Sequence, residues 1–128
     1  MDERERYAEG SKVRRAVLGD AHVDRSVANR SAFSEPFLDM ITRYAWGEVW
    51  SRPGLPRHTR SLVTLAMMVA LNRPEEFCLH VRGALNNQVS REEIGELLLH
   101  CSVYCGAPAA NSAIHLAEEV FKEIDAGR

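Results

Sequence analysis

Glu76 and His80 stand one helical turn apart in Glu76-Phe77-Cys78-Leu79-His80, the spacing that sets two side chains on one face of a helix. A carboxylate there favours the protonated ring and fixes its orientation, which makes an acid–base group. Gly83, Ala84 and Asn87 share the neighbourhood and leave it room. The same residues read equally as a hydrogen-bonded structural histidine. A second set lies at His100 and Tyr104, also four apart, with Glu96 four residues before His100. These form either a polar stripe entering a pocket or ordinary partners at an interface. His22, His58 and His115 have no such company and read as surface residues.

The stretch Tyr44–Leu55 holds both tryptophans, Trp46 and Trp50, with Glu48 and Arg52 beside a rigid turn. Aromatic walls and a guanidinium suit a small, unsaturated anion, because arginine matches a carboxylate with two parallel hydrogen bonds. A plain helix end packed on a neighbour fits the same residues. Cys101 and Cys105 would have Cβ atoms about 5–6 Å apart on a helix, whereas a disulfide wants roughly 3.8 Å. They read as buried small hydrophobes, and the spacing supplies no further ligands for a zinc ion. There is no glycine-rich phosphate loop, no His-Glu-x-x-His and no Gly-x-Ser-x-Gly.

Helices must position these groups, since every strong period in the chain is helical and no strand alternation survives. Residues 2–18 predict an amphipathic helix with a thin stripe of Tyr7, Val13, Val17 and Leu18 around Gly10, lying on a neighbour. Gly19, Asp20 and His22 read as a stop and a loop. A second helix starts near Ser34 and runs through Phe37, Leu38, Ile41, Tyr44, Ala45 and Val49, until Pro53, Gly54 and Pro56 break the segment 51–56. Residues 57–71 are apolar nearly all round after the first turn, as a central buried helix would be. Pro74 opens a helix through Asn87, Ser90-Arg91-Glu92-Glu93 is a capping box for the next, and Pro108 begins the last. The expectation is one all-α domain over residues 1–128, a bundle of about six helices joined as antiparallel hairpins. Its apolar surplus predicts a homo-oligomer with ligand clefts at the interfaces.

At 128 residues the chain has room for one ordinary core, and 45% apolar with 27% charged residues excludes a disordered or fibrous class. A net charge of −2, with signs interspersed, offers no attraction to nucleic acid or an anionic membrane. The longest apolar run, Leu62–Leu71, is too short to span a bilayer, and Asp2, Glu3, Arg4, Glu5 and Arg6 stand where a signal peptide needs apolar residues. A cytoplasmic location is expected, and three unpaired-looking cysteines fit a reducing compartment.

Together these segments resemble the 4-carboxymuconolactone decarboxylases. The likeness runs from about Tyr7 to Ile124 and is densest in Ile41–Trp50, Arg52-Pro53-Gly54-Leu55, Thr59–Ala66, Leu79–Asn87 and Glu96–Asn111. It implies an alkyl-hydroperoxidase-D-like helical fold in a ring-shaped oligomer, commonly a hexamer. It further implies cofactor-independent loss of CO₂ from a dicarboxylate lactone, giving 3-oxoadipate enol-lactone in the protocatechuate branch of the β-ketoadipate pathway. Redox members of the superfamily carry Cys-x-x-Cys-x-x-x-His with a glutamate one helix earlier. If His80 is the motif histidine, the thiol positions fall on Arg73 and Glu76 and the glutamate on Ser61, so thiol-based peroxide chemistry is not expected. On this resemblance His80 donates the proton, tuned by Glu76 with Ser61 nearby. Arg52 or Arg60 grips a carboxylate and Trp46 and Trp50 wall the ring, with Glu48, His100 and Tyr104 as further candidates. No metal or cofactor is implied. The alternatives are a lyase for a related lactone or unsaturated acid, and a non-redox binding protein on the same scaffold.

Overall fold

A computed structural model describes residues 1–128, all helical and without a strand. Seven helices follow in order: α1 (Glu3–Leu18), α2 (Asp20–Ala28), α3 (Glu35–Met40, continued by a π-helical segment Ile41–Val49), α4 (Arg57–Leu71), α5 (Pro74–Asn86), α6 (Arg91–Tyr104) and α7 (Ala107–Asp125). They form two compact units, Met1–Arg57 and His58–Arg128.

In the first unit α1 packs on the π segment and on α2. Asp2 and Glu5 close a reciprocal cap at the start of α1, and the stripe of Gly10, Val13, Val17 and Leu18 is buried. Backbones touch here: a Cβ at Gly10 would overlap the Thr42 carbonyl, and one at Gly47 would lie 2.5 Å from the Arg6 carbonyl oxygen. The π segment that continues α3 supplies this contact through Thr42 and Gly47. Its register is evident where Trp50 N–H donates to the Ala45 carbonyl five residues back, at 2.9 Å.

The expected loop after Gly19 is instead α2. Gly19, at φ +90°, ends α1 and starts α2 directly. Only Val23 of α2 is buried, so almost no apolar period marks it, and it is tied back by Arg15 to Asp20 and Asp24 at 3.1 and 2.9 Å. This helix raises the count from the expected six to seven.

The second unit has an apolar core that includes Leu65, Phe77, Val81, Ile94, Leu98 and Val120. Both α5 and α6 pack on α7. Ser90 and Glu93 cap α6 as the sequence predicts, Glu93 N–H donating to Ser90 Oγ at 3.0 Å and Ser90 N–H to Glu93 Oε1 at 2.9 Å. Gly106, at φ +100°, starts α7 one residue before Pro108. The expectation of a wholly buried α4 fails. Its buried residues, Ser61, Leu65 and Val69, make one four-residue stripe, while Val63, Met67 and Leu71 are exposed. An apolar composition counts candidates for burial and says nothing about which face is covered.

Candidate active site

Ser61 lies on the inward stripe of α4 with none of its surface exposed. A hydroxyl buried that deeply needs a partner, and Asn87 provides it at the end of α5: Asn87 Nδ2 donates to Ser61 Oγ at 2.9 Å. Ser61 Oγ–H remains directable by whatever acceptor its surroundings offer. His80 stands seven residues before Asn87, two helical turns along the same side of α5. It is half-buried, with Nδ1 shielded from solvent. Arg60, next to Ser61, is half-buried as well, and Glu76 is exposed one turn before His80. Of these groups the structure joins the Ser61 hydroxyl and the Asn87 amide directly, while His80 follows from its register on α5 and Arg60 from its place beside Ser61 on α4.

His58 and Glu93 were not foreseen together. His58 Nε2 meets Glu93 Oε2 at 2.8 Å, so His58 is a pinned residue and not a lone surface histidine. The Ser90 backbone N–H first, and His58 next, hold the Glu93 carboxyl below the ordinary glutamate range. The pairing spans 35 residues and joins the first turn of α4 to the cap of α6, so no local spacing announces it. Beside it runs an open groove of about 680 Å³, lined by apolar Leu62, Val63, Ala66 and Leu97 and by Glu96 and His100. The His100 and Tyr104 rings lie 5.0 Å apart at 30° on an exposed face of α6. His80 and Ser61 do not line this groove.

Within the first unit, Trp46 and Trp50 stack at 5.0 Å and 26°, with Trp46 buried and Trp50 half-buried. The π segment carries Trp46 and ends on Trp50, so the two rings stand about one turn apart. Glu48 binds Arg6 closely and meets Arg52 at 3.7 Å, so it braces two guanidinium groups. Arg52 itself is exposed. Arg6 is the residue missed here, 42 positions away from its partner.

Burial, reinforced by Cys105, pushes Cys101 up to about 11, and burial raises Cys78 too, so both stay protonated at neutral pH. Arg73 and Glu76, the positions where a dithiol would stand, cap and open α5. No three His, Cys, Asp or Glu side chains converge as a metal cage would need, and no helix is long and apolar enough to cross a membrane.

The chain is 55% identical over 124 residues to a 4-carboxymuconolactone decarboxylase of Acinetobacter baylyi, covering 97% of this chain and 92% of the relative. It is 42% identical over 118 residues to a nitrosuccinic acid decarboxylase of Metarhizium robertsii, covering 92% of this chain and 82% of the relative. A 48-residue 4-carboxymuconolactone decarboxylase sequence of Pseudomonas putida matches along its whole length at 56% identity, over 38% of this chain. The model of the carboxymuconolactone decarboxylase family matches residues 35–119, from α3 into α7, a span that includes every proposed catalytic and binding residue. With that extent of likeness, the chain belongs to the carboxymuconolactone decarboxylase family.

Proposed function

We propose that this protein is a carboxy-lyase that converts 4-carboxymuconolactone to 3-oxoadipate enol-lactone. The observation that carries the reading is the 55% identity to a decarboxylase of that name along nearly the whole chain. In the substrate, one carboxylate sits on the ring carbon that also bears the ring oxygen, and a second sits on an acetate arm. The bond to the first breaks, and its electron pair passes through the ring double bond to the lactone carbonyl. The resulting dienolate takes a proton on the carbon next to that carbonyl. The ring is its own electron sink, so the chemistry asks the protein for positioning, charge stabilisation and a proton, and for no prosthetic group.

His80 supplies the proton, a contribution of roughly 10²–10⁴-fold for a positioned acid. Its half-buried position on the side of α5 that carries Asn87 supports that role. Ser61, oriented by Asn87 at 2.9 Å, donates to the developing oxyanion, and Glu76 acts on His80 through its charge. Arg52 or Arg60 holds the spectator carboxylate, Arg52 being braced by Glu48 at 3.7 Å. Trp46 and Trp50 offer a stacked wall for the flat ring. His100 and Tyr104 line a neighbouring surface. The enzyme works in the cytoplasm as a homo-oligomer, a hexamer with an alkyl-hydroperoxidase-D-like fold. Supporting that assembly, Met67 and Leu71 on α4 and Leu99, Val103 and Tyr104 on α6 are more than half exposed.

A second substrate class is favoured by the nitrosuccinate relative. Nitrosuccinic acid also has two carboxylates, and loss of the one beside the nitro group leaves electrons on the nitro oxygens. The shared requirement is a dicarboxylate with a built-in sink. Incubation with each substrate in D₂O, followed by NMR of the product, separates the readings. The proposal expects enol-lactone with one deuterium on the ring methylene. Turnover of nitrosuccinate alone would replace it with the second reading, and binding of the lactone without CO₂ release would leave a binding protein.

A further inference from the structure

The first unit holds a pocket of about 430 Å³ lined by Arg4, Tyr7, Arg30, Asp39 and Arg43, none of which has a role in the proposed reaction. Three guanidinium groups and one carboxylate line it, in a chain whose net charge is negative, and Glu35 and Glu3 approach from outside the pocket. The local acids neutralise them only in part. Asp39 takes Arg30 at 3.3 Å, with Glu35 at 4.0 Å, and Glu3 reaches Arg43 only at 3.9 Å. Arg4 has no carboxylate within ion-pair distance, and Arg14, near Arg30, bonds only a hydroxyl, that of Ser26 at 3.0 Å.

The buried atoms make the case stronger. Nε of Arg30 and Nε of Arg43 are both shielded from water and have no hydrogen-bond partner. Each such donor carries a desolvation cost that no hydrogen bond offsets. A guanidinium stripped of water on one edge attracts an anion at its open edge more strongly than a solvated one does. Tyr7 orders the cluster: its hydroxyl accepts from Arg30 Nη2 at 3.4 Å, and the Arg43 guanidinium carbon lies 5.3 Å from its ring centroid. Arg30 and Arg43 are thus held on two sides of one ring, and Arg4 is exposed at the rim.

We propose that this pocket binds a small dianion through Arg4, Arg30 and Arg43, with Tyr7 holding the half-buried Arg30 and Arg43 guanidinium groups in register. The chemistry needed is two or more oxygens sharing negative charge, as in a short dicarboxylate or in phosphate. The site does not rest on the decarboxylation reading, because its residues take no part in that reaction.

Calorimetric titration of the full chain, with succinate in one arm and inorganic phosphate in the other, tests it. Saturable binding in either arm is expected, and the arm that binds identifies the anion class. Arg43→Gln weakens that binding at least about tenfold, the worth of one charge-assisted hydrogen bond. Arg43→Lys keeps the charge and the fold but loses the forked contact, and weakens it less. Binding persists in Arg52→Ala and Arg60→Ala, and rising salt reduces it. Absence of binding in both arms overturns the proposal. So does binding unchanged by Arg43→Gln and Arg43→Lys, or binding abolished by Arg52→Ala or Arg60→Ala.

Discussion

Along α1, Gly10 brings one backbone so near the π segment that a single methyl group would overlap the Thr42 carbonyl. Along α5, Phe77 instead fills the interior with one of the largest fully buried side chains in the chain, 1% exposed. The first unit coheres through backbone proximity, ion pairs and cation–π contacts such as Arg6 over Tyr44. The second coheres through side-chain volume. The two modes fail differently: one is intolerant of added atoms, the other of removed ones.

Adding atoms is the harsher insult where the obstacle is backbone. Gly10→Ala is expected to cost more than ~4 kcal/mol, outweighing any gain in helix propensity, because two helices must separate. Urea unfolding checks it, and a stability near wild type would show that the contact relaxes. Phe77→Ala should cost about 3–5 kcal/mol through lost burial and a residual cavity. Ser90→Ala should remove about 1 kcal/mol by uncapping α6. The counterpart to Gly10 is Gly95 on α6, where nothing lies within 4 Å of a Cβ, so Gly95→Ala should stabilise by about 0.5–1 kcal/mol. Opposite signs for one substitution at two helical glycines would sharpen the contrast, and equal signs would erase it.

The smallest effect concerns acid. Because the Glu93 carboxyl titrates lower when folded than unfolded, its contribution is fully present above the unfolded glutamate value. It fades as pH falls through the folded value. Glu93→Gln should therefore flatten the acid limb of the stability curve, with the gap from wild type closing as pH drops. A gap independent of pH would assign the effect to the cap alone.

The second unit is the more legible of the two in sequence. Pro74 and the Ser90–Glu93 box mark helix starts by chemistry that is wholly local, and both act where expected. α2 has one buried residue and thus no period to read. The π segment hides because Ile41, Ala45 and Val49 fit an α-helical ladder equally well, and the residues it packs on, around Gly10, are more than thirty positions away. On α4, a run of apolar residues cannot distinguish a face buried within the chain from Val63, Met67 and Leu71, which are left uncovered. The same division holds at the site. That His80 and Asn87 share a side of α5 follows from spacing. That Asn87 reaches Ser61, or Glu93 reaches His58, depends on how α4, α5 and α6 come together.

Loss of CO₂ from a dicarboxylate lactone with the ring as sole electron acceptor requires a proton donor, the role proposed for His80, and no reactive thiol. The most direct measurement is CO₂ release from 4-carboxymuconolactone by purified, dialysed protein, comparing wild type, His80→Ala and the triple Cys78→Ser, Cys101→Ser, Cys105→Ser variant. One CO₂ per lactone is expected, with kcat lowered roughly 10²–10⁴-fold by His80→Ala and turnover retained without the thiols. Turnover that survives loss of His80 but vanishes with the thiols would contradict it.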